Sequence, residues 1–111
     1  MPSTTSYEKG DVLLVSFPYA GDAQSKNRPA LVILDTGDAD VVVARVTTQI
    51  HRSSFDVPVA GWQAAGLLAP SSVRIHKLAT LEKSLVRRRL GSLEAPDRQR
   101  VAAVLRQAYG T

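Results

Sequence analysis

Residues 30–46 read ALVILDTGDADVVVARV, and their pattern decides the fold. Ala30-Leu31-Val32-Ile33-Leu34 is a continuous apolar run, which predicts a strand buried on both faces. Asp35-Thr36-Gly37-Asp38 has the composition of a tight turn, because Asp hydrogen-bonds nearby backbone and Gly reaches positive φ without steric cost. Asp40-Val41-Val42-Val43-Ala44-Arg45-Val46 then returns as a β-branched strand. Two such runs around so short a turn predict an antiparallel hairpin.

Upstream of the hairpin, Asp11–Phe17 reads as another strand, stopped by Pro18, which has no ladder donor. Pro18 to Asn27 (PYAGDAQSKN) is expected to be a functional or mobile loop, since its length is unusual between two strands of a small domain. Arg28-Pro29 then opens the second strand. Downstream, the polar stretch Thr47–Ser54 ends the third strand, and Phe55–Val59 alternates as a short edge strand, where Pro58 is tolerated. Trp62–Ala65, flanked by Gly61 and Gly66, predicts a turn, with Trp62 against the core or a subunit interface. Ser72–Ile75 and Arg87–Gly91 predict further strands, with Leu81–Leu85 as one helical turn between them.

Val101, Val104, Leu105 and Ala108 recur at helical spacing and define one face of a C-terminal helix of about four turns. Pro96 suits its first turn, Asp97 complements the positive end of its dipole, and Gly110 can cap its end. Residues 1–8 are small and polar and are expected to be flexible. The whole pattern predicts a mainly-β fold with one α-helix: a curled antiparallel sheet or small β-barrel carrying a C-terminal amphipathic helix, with residues 1–111 as a single domain. Parallel α/β folds are excluded because the crossover helices are missing.

The 111 residues contain no cysteine, which removes disulfides, thiol nucleophiles and thiolate zinc sites together. No paired metal-ligand histidines, phosphate-cradling glycine loop or nucleophile elbow occurs, so neither a metal nor a cofactor is expected. Met1–Lys9 lacks the apolar run of a signal peptide, and no stretch approaches the ~18 apolar residues of a membrane helix, so a cytoplasmic protein is expected. The net charge of +4 is unevenly placed: residues 1–56 hold five basic and seven acidic side chains, and residues 57–111 hold nine and three. Such a bias suits a polyanionic or acidic partner.

The remaining chemistry sits at strand ends. Arg28 stands directly before a buried strand, where its fork of donors suits a phosphate. Thr47 and Thr48 can donate through hydroxyl and backbone N–H, and His51 and His76 are the side chains whose ordinary pKa lies near neutrality. Each also has a structural reading: an arginine paired with a carboxylate, threonines that close a turn, surface histidines. The Arg87-Arg88-Arg89 run alternates faces on a strand and cannot present all three cations one way.

Taken in order, these segments resemble the MazF/PemK family of toxins from bacterial toxin–antitoxin pairs. The likeness is carried by Gly10-Asp11-Val12, Gly21 with Gln24, Arg28-Pro29-Ala30-Leu31-Val32 and Val46-Thr47-Thr48-Gln49. Gly66-Leu67, Ser72-Val73-Arg74 and Thr80-Leu81 extend it. The resemblance implies a homodimer of SH3-like barrels, of the CcdB/PemK kind, that cleaves single-stranded RNA at short sequences without a metal. It also implies a cognate antitoxin whose acidic segment wraps the toxin and neutralises it. Catalytic roles fall on Arg28 and Thr47, supporting roles on Thr48, Arg74 and His76, and RNA contacts on Gln24, Lys26, Gln49, His51 and Arg52. The chain departs from the pattern in the loop, where many members carry Glu two residues after the glycine and this sequence has Ala23, preceded by Asp22.

A second class shares the expected fold. CcdB-like toxins bind gyrase and cleave nothing, and act through an aromatic-ended C-terminus, of which Tyr109-Gly110-Thr111 is only a faint echo. Arg28 with Thr47 and Thr48 favours the nuclease, because a gyrase binder has no need of a phosphate-binding pair.

Overall fold

The hairpin expected over residues 30–46 forms the centre of the sheet in a computed structural model, which describes residues 5–17 and 26–110. Six strands are present: β1 (Asp11–Phe17), β2 (Lys26–Leu34), β3 (Asp40–Thr47), β4 (Asp56–Pro58), β5 (Ser72–Glu82) and β6 (Val86–Ser92). A single 3-10 turn, Lys83–Leu85, joins β5 to β6, and the helix α1 spans Ala95–Tyr109. The strands form one antiparallel sheet in the order β4-β5-β3-β2-β1-β6.

This is the mainly-β arrangement with a C-terminal helix that the pattern predicts, but the sheet is open rather than closed into a barrel, since β4 and β6 remain its two edges. Closure would need a ladder between them. The three-residue β4 contains Pro58, which has no N–H to donate. Irregular pairing in β1–β6, β2–β3 and β3–β5 bends the sheet, and the strands bury both faces.

On one face Val12, Leu31, Ala44, Val46, Val73 and Ile75 pack with Val101 of α1 and with Ala65 and Leu67 of the segment before β5. On the other, Leu13, Val15, Phe17, Ala30, Val32, Val41 and Val43 make a second cluster. Burial on both faces explains why β2 and β3 read as unbroken apolar runs. Trp62 lies half-buried against the first cluster.

Three boundaries differ from the sequence reading. β2 begins at Lys26, inside the expected loop, because Lys26–Pro29 pairs with Phe17–Leu14 of β1. Pro29 is accommodated there because the β2–β3 ladder starts only at the Ala30–Arg45 couple. Residues 18–25 of that loop, among them Gly21 and Gln24, lie outside the described residues. β5 is the largest departure: it continues through Lys77–Glu82 because those residues pair with Ala44–Asp40 of β3. Leu81 and Glu82 therefore belong to the strand, and the helical turn starts at Lys83.

Asp97 does more than complement a dipole. It is 2% exposed, and its carboxylate accepts the N–H of Ala60 at 3.0 Å and of Gly61 at 2.9 Å, while Arg100 pairs with the same group. The first turn of α1 is thereby held to the segment leading to Trp62. The helix face runs as expected, with Val101 buried and Val104, Leu105 and Ala108 half-buried. Gly110 stands at its end with φ −72°, an ordinary conformation, and its N–H donates to the Arg106 carbonyl.

Candidate functional site

The site follows from strand alternation. Val15 pairs with Arg28 and Leu13 with Ala30, and these apolar partners belong to the second cluster, so Arg28 projects from that same face of the sheet. On β3, Val43 belongs to that cluster, and Arg45 and Thr47 follow at the same two-residue period. The face is thus apolar toward the 35–38 turn and polar at the opposite end. The last β2–β3 couple is Ala30–Arg45, and the same register continued by two residues would set Arg28 across from Thr47. Beyond that couple the strands stop pairing, and a cavity of ≈ 250 Å³ opens, lined by Arg28, Arg45, Val46, Thr47, Thr48 and Gln49.

Thr47 is the last residue of β3, pairs with Ser72 of β5, and accepts the N–H of Gln49 on Oγ1 at 3.1 Å. That bond turns the chain at the mouth of the cavity and still leaves the hydroxyl hydrogen to donate. A second recess of ≈ 340 Å³ shares the wall Thr47–Gln49 and runs on past Ile50, His51 and Arg52 to Pro58, Pro70 and Ser72. Gln49, His51 and Arg52 therefore border the same opening as Arg28 and Thr47. Lys26 is exposed on the face that carries Arg28, two residues away.

Arg74 and His76 form a separate cluster at the β4–β5 edge. Arg74 Nε pairs with Asp56 Oδ1 at 2.9 Å, and Arg74 Nη2 lies 3.3 Å from His76 Nε2. A guanidinium only donates, so in this contact His76 Nε2 can serve only as an acceptor. The Phe55 ring lies 5.5 Å from the imidazole, centroid to centroid. Neither residue lines the first cavity, although Arg74 stands directly across the β3–β5 ladder from Arg45. Arg45 is the cavity residue that the sequence reading missed. Its signal was the i, i+2 spacing to Thr47, which on a strand means a shared face.

Burial alone would raise the Asp56 carboxyl, but bonds from the Ser53 hydroxyl, Arg74 and the Ser53 N–H more than offset it and hold the group below the usual carboxylate range. Asp35 is lowered as well, chiefly by the N–H of Tyr7, with Gly37 N–H and Lys83 adding to it against its burial. Both groups bind protons more weakly folded than unfolded. Their stabilisation is present above the unfolded pKa and is lost as pH falls through the lower folded values, that is, below pH about 4. Urea midpoints should accordingly drop from pH 4 to pH 2, and Asp56→Asn should lower the midpoint at pH 7 while making that acid decline shallower.

Elsewhere, Arg87, Arg88 and Arg89 are exposed on β6, and Arg89 pairs with Asp11 at 3.1 Å. Tyr109 donates its hydroxyl to the Ile75 carbonyl at 2.9 Å, tying the end of α1 to β5. Among the described residues no helix is long and apolar enough to cross a membrane.

Comparison with known proteins adds family and fold. The family model of the PemK-like, MazF-like toxins of type II toxin–antitoxin systems matches residues 8–109. Among solved structures, the chain is similar to the Mycobacterium tuberculosis toxin MazF-mt6, with 23% identity, a TM-score of 0.74, and coverage of 89% of this chain and 95% of that one. It is also similar to an endoribonuclease in complex with its cognate antitoxin from mycobacterial species, with 21% identity, a TM-score of 0.77, and coverage of 95% and 96%. MazF from Deinococcus radiodurans matches with 22% identity, a TM-score of 0.73, and coverage of 95% and 97%. At these identities the structural likeness speaks to the fold. A comparison with curated protein sequences returned no match.

Proposed function

Because this chain belongs to the PemK-like, MazF-like toxins of type II toxin–antitoxin systems, we propose that it is a metal-independent endoribonuclease for single-stranded RNA. The observation that carries the reading is the shared cavity: Arg28 from β2 and Thr47 from β3 line one opening of ≈ 250 Å³, with Thr48 and Gln49 beside them. A guanidinium and a hydroxyl converging on one small polar opening suit a phosphodiester.

The chemistry then follows from the groups. The ribose 2′-hydroxyl adjacent to the scissile phosphate attacks phosphorus, forming the 2′-O–P bond and losing its proton. The P–O5′ bond breaks, and the 5′-oxygen takes up a proton. The products are a 2′,3′-cyclic phosphate and a 5′-hydroxyl end. In the pentacoordinate transition state the non-bridging oxygens carry extra negative charge, which Arg28, cationic at any working pH, and the Thr47 hydroxyl stabilise. Thr48 lies beside them, and Gln49, His51, Arg52 and Lys26 hold the flanking RNA. Arg74 and His76 line neither recess, so any support they give is indirect, through the β3–β5 ladder that sets Arg74 opposite Arg45.

The same reading extends to partners. Two copies form a homodimer with a common groove, and the basic second half of the chain attracts an acidic cognate antitoxin, an attraction that weakens with salt. A mycobacterial endoribonuclease of this fold has been solved with its cognate antitoxin.

The test is incubation of the purified protein with a long single-stranded RNA in EDTA, followed by mapping of the ends. Cleavage at a short recurring sequence, leaving cyclic phosphates and 5′-hydroxyls, is expected. Intact RNA with folded protein overturns the proposal and directs attention to the gyrase-binding class.

A further inference from the structure

We infer that Arg45 is a second phosphate-binding residue, which holds the phosphodiester next to the scissile one and so sets how the RNA strand lies across the site; the inference rests on the nuclease reading above.

Three observations converge on Arg45. It lines the same cavity as Arg28 and Thr47, and alternation places all three on one face of the sheet. Its direct neighbour on β2 is Ala30, which is fully buried in the second cluster while Arg45 itself is exposed, so Arg45 stands where the apolar part of that face ends and the cavity begins. Its guanidinium carbon lies 5.9 Å from the centroid of the Phe17 ring, a cation–π contact that steadies the side chain and leaves its donors available.

Charge supplies the argument for a ligand. On β5 the residue directly opposite Arg45 is Arg74, and like charges facing each other across a ladder are unfavourable. Arg74 is neutralised by Asp56 at 2.9 Å, whose carboxylate is almost fully buried. Arg45 is exposed and takes part in none of the ion pairs among the described residues, where Asp11, Asp35, Asp56 and Asp97 pair with Arg89, Lys83, Arg74 and Arg100. A cation left uncompensated at the mouth of a cavity that also holds Arg28 is suited to an anion from outside. RNA repeats its phosphates along the strand, so engagement of one by Arg28 brings the next within the locality of Arg45.

The ligand contact is electrostatic and reads no base, which makes it separable from the chemical step. The experiment uses the intact chain and a short mixed-sequence single-stranded RNA, 2′-O-methylated throughout so that it cannot be cleaved. Affinity is followed by fluorescence anisotropy as salt is raised. Arg45→Gln should bind about tenfold more weakly at low salt, and its plot of log K against log salt should be shallower by about 0.7, the share of one phosphate contact on a single strand. Arg45→Lys keeps the charge and should keep the wild-type slope, and Arg45→Met, a neutral variant that keeps an apolar stem against Phe17, should show the same loss of slope and decides the matter should Arg45→Gln fail to fold. With cleavable RNA, Arg45→Gln should raise KM and leave kcat within about twofold, the signature of binding lost equally from ground and transition states.

A wild type that binds and cleaves RNA, beside an Arg45→Gln with unchanged slope, overturns this inference alone. So does an Arg45→Lys that loses as much slope as Arg45→Gln, or a loss restricted to certain sequences. A wild type that neither binds nor cleaves RNA overturns both readings.

Discussion

Arg28→Ala is expected to cleave RNA about a hundred- to a thousandfold more slowly than the wild type while folding normally, the usual effect of removing one donor aimed at developing charge. The residue is exposed at the end of β2 where the β2–β3 ladder has stopped, so its removal leaves no hole in either cluster. The loss should fall mainly on kcat, because the charge it meets is larger in the transition state than in the bound phosphodiester. Arg28→Lys should recover part of the rate, since a point charge replaces the fork without its paired donors. Thr47→Ala is expected to lose comparably, with a stability cost of about 1 kcal/mol from the bond its Oγ1 accepts from Gln49. Thr47→Ser retains both functions of the hydroxyl and separates the two effects. If the residues act on the same phosphate, the double variant should be little worse than either single one. Single-turnover rates with melting curves for each variant provide the check, and an Arg28→Ala enzyme at wild-type speed would overturn its assignment.

The largest expected effect on stability belongs to Gly66→Ala. Gly66 has φ +85°, and a Cβ there would lie 2.1 Å from the carbonyl oxygen of Leu90, a backbone atom of β6 that cannot swing aside. Gly91 makes the reciprocal approach, with its would-be Cβ 2.5 Å from the Ala65 carbonyl oxygen. Two backbones therefore meet without side chains between them, joining the segment after Trp62 to the edge strand. An alanine must both adopt the left-handed conformation and push the segment off β6, so a loss of about 3 kcal/mol or more is expected. Gly37 provides the control: its φ is +89°, but nothing lies within 4 Å of the would-be Cβ. Gly37→Ala should cost only about 1 kcal/mol, the conformational part alone. Urea denaturation of the two variants isolates the close approach as the difference between them, and equal costs would refute it.

Much of this was legible in the residues, and the reasons are local. β1, the 30–46 hairpin, the edge strand at Pro58 and α1 each carry their own signal: β-branched runs, an Asp- and Gly-bearing turn, a proline that cannot donate, an apolar stripe at helical period. Arg28 and Thr47 were singled out by their places at strand ends and by the family likeness, and what the structure adds is that both border one cavity. The second half of β5 was not legible. Residues 76–82, HKLATLE, have no strand periodicity, and they are extended because β3 offers them a partner.

The division has a physical basis. Periodicity, turn chemistry and helix signals depend on neighbours a few residues apart, so the sequence by itself determined the strands of the central hairpin, the helix and the sign of the charge. Whatever depends on residues far apart in the chain was decided by tertiary structure. The sheet stays open because β4 and β6, joined by no ladder, become its edges. Asp97 turns from a dipole partner into a buried anchor because residues 60 and 61 bring it two N–H groups. Arg74 is drawn away to Asp56, and Arg45, an ordinary strand residue in the sequence, comes to stand in the cavity because alternation on β3 and the β2–β3 register turn it to the same side as Arg28. Single-strand periodicity can say that a residue alternates, but only the pairing of strands says what it then faces.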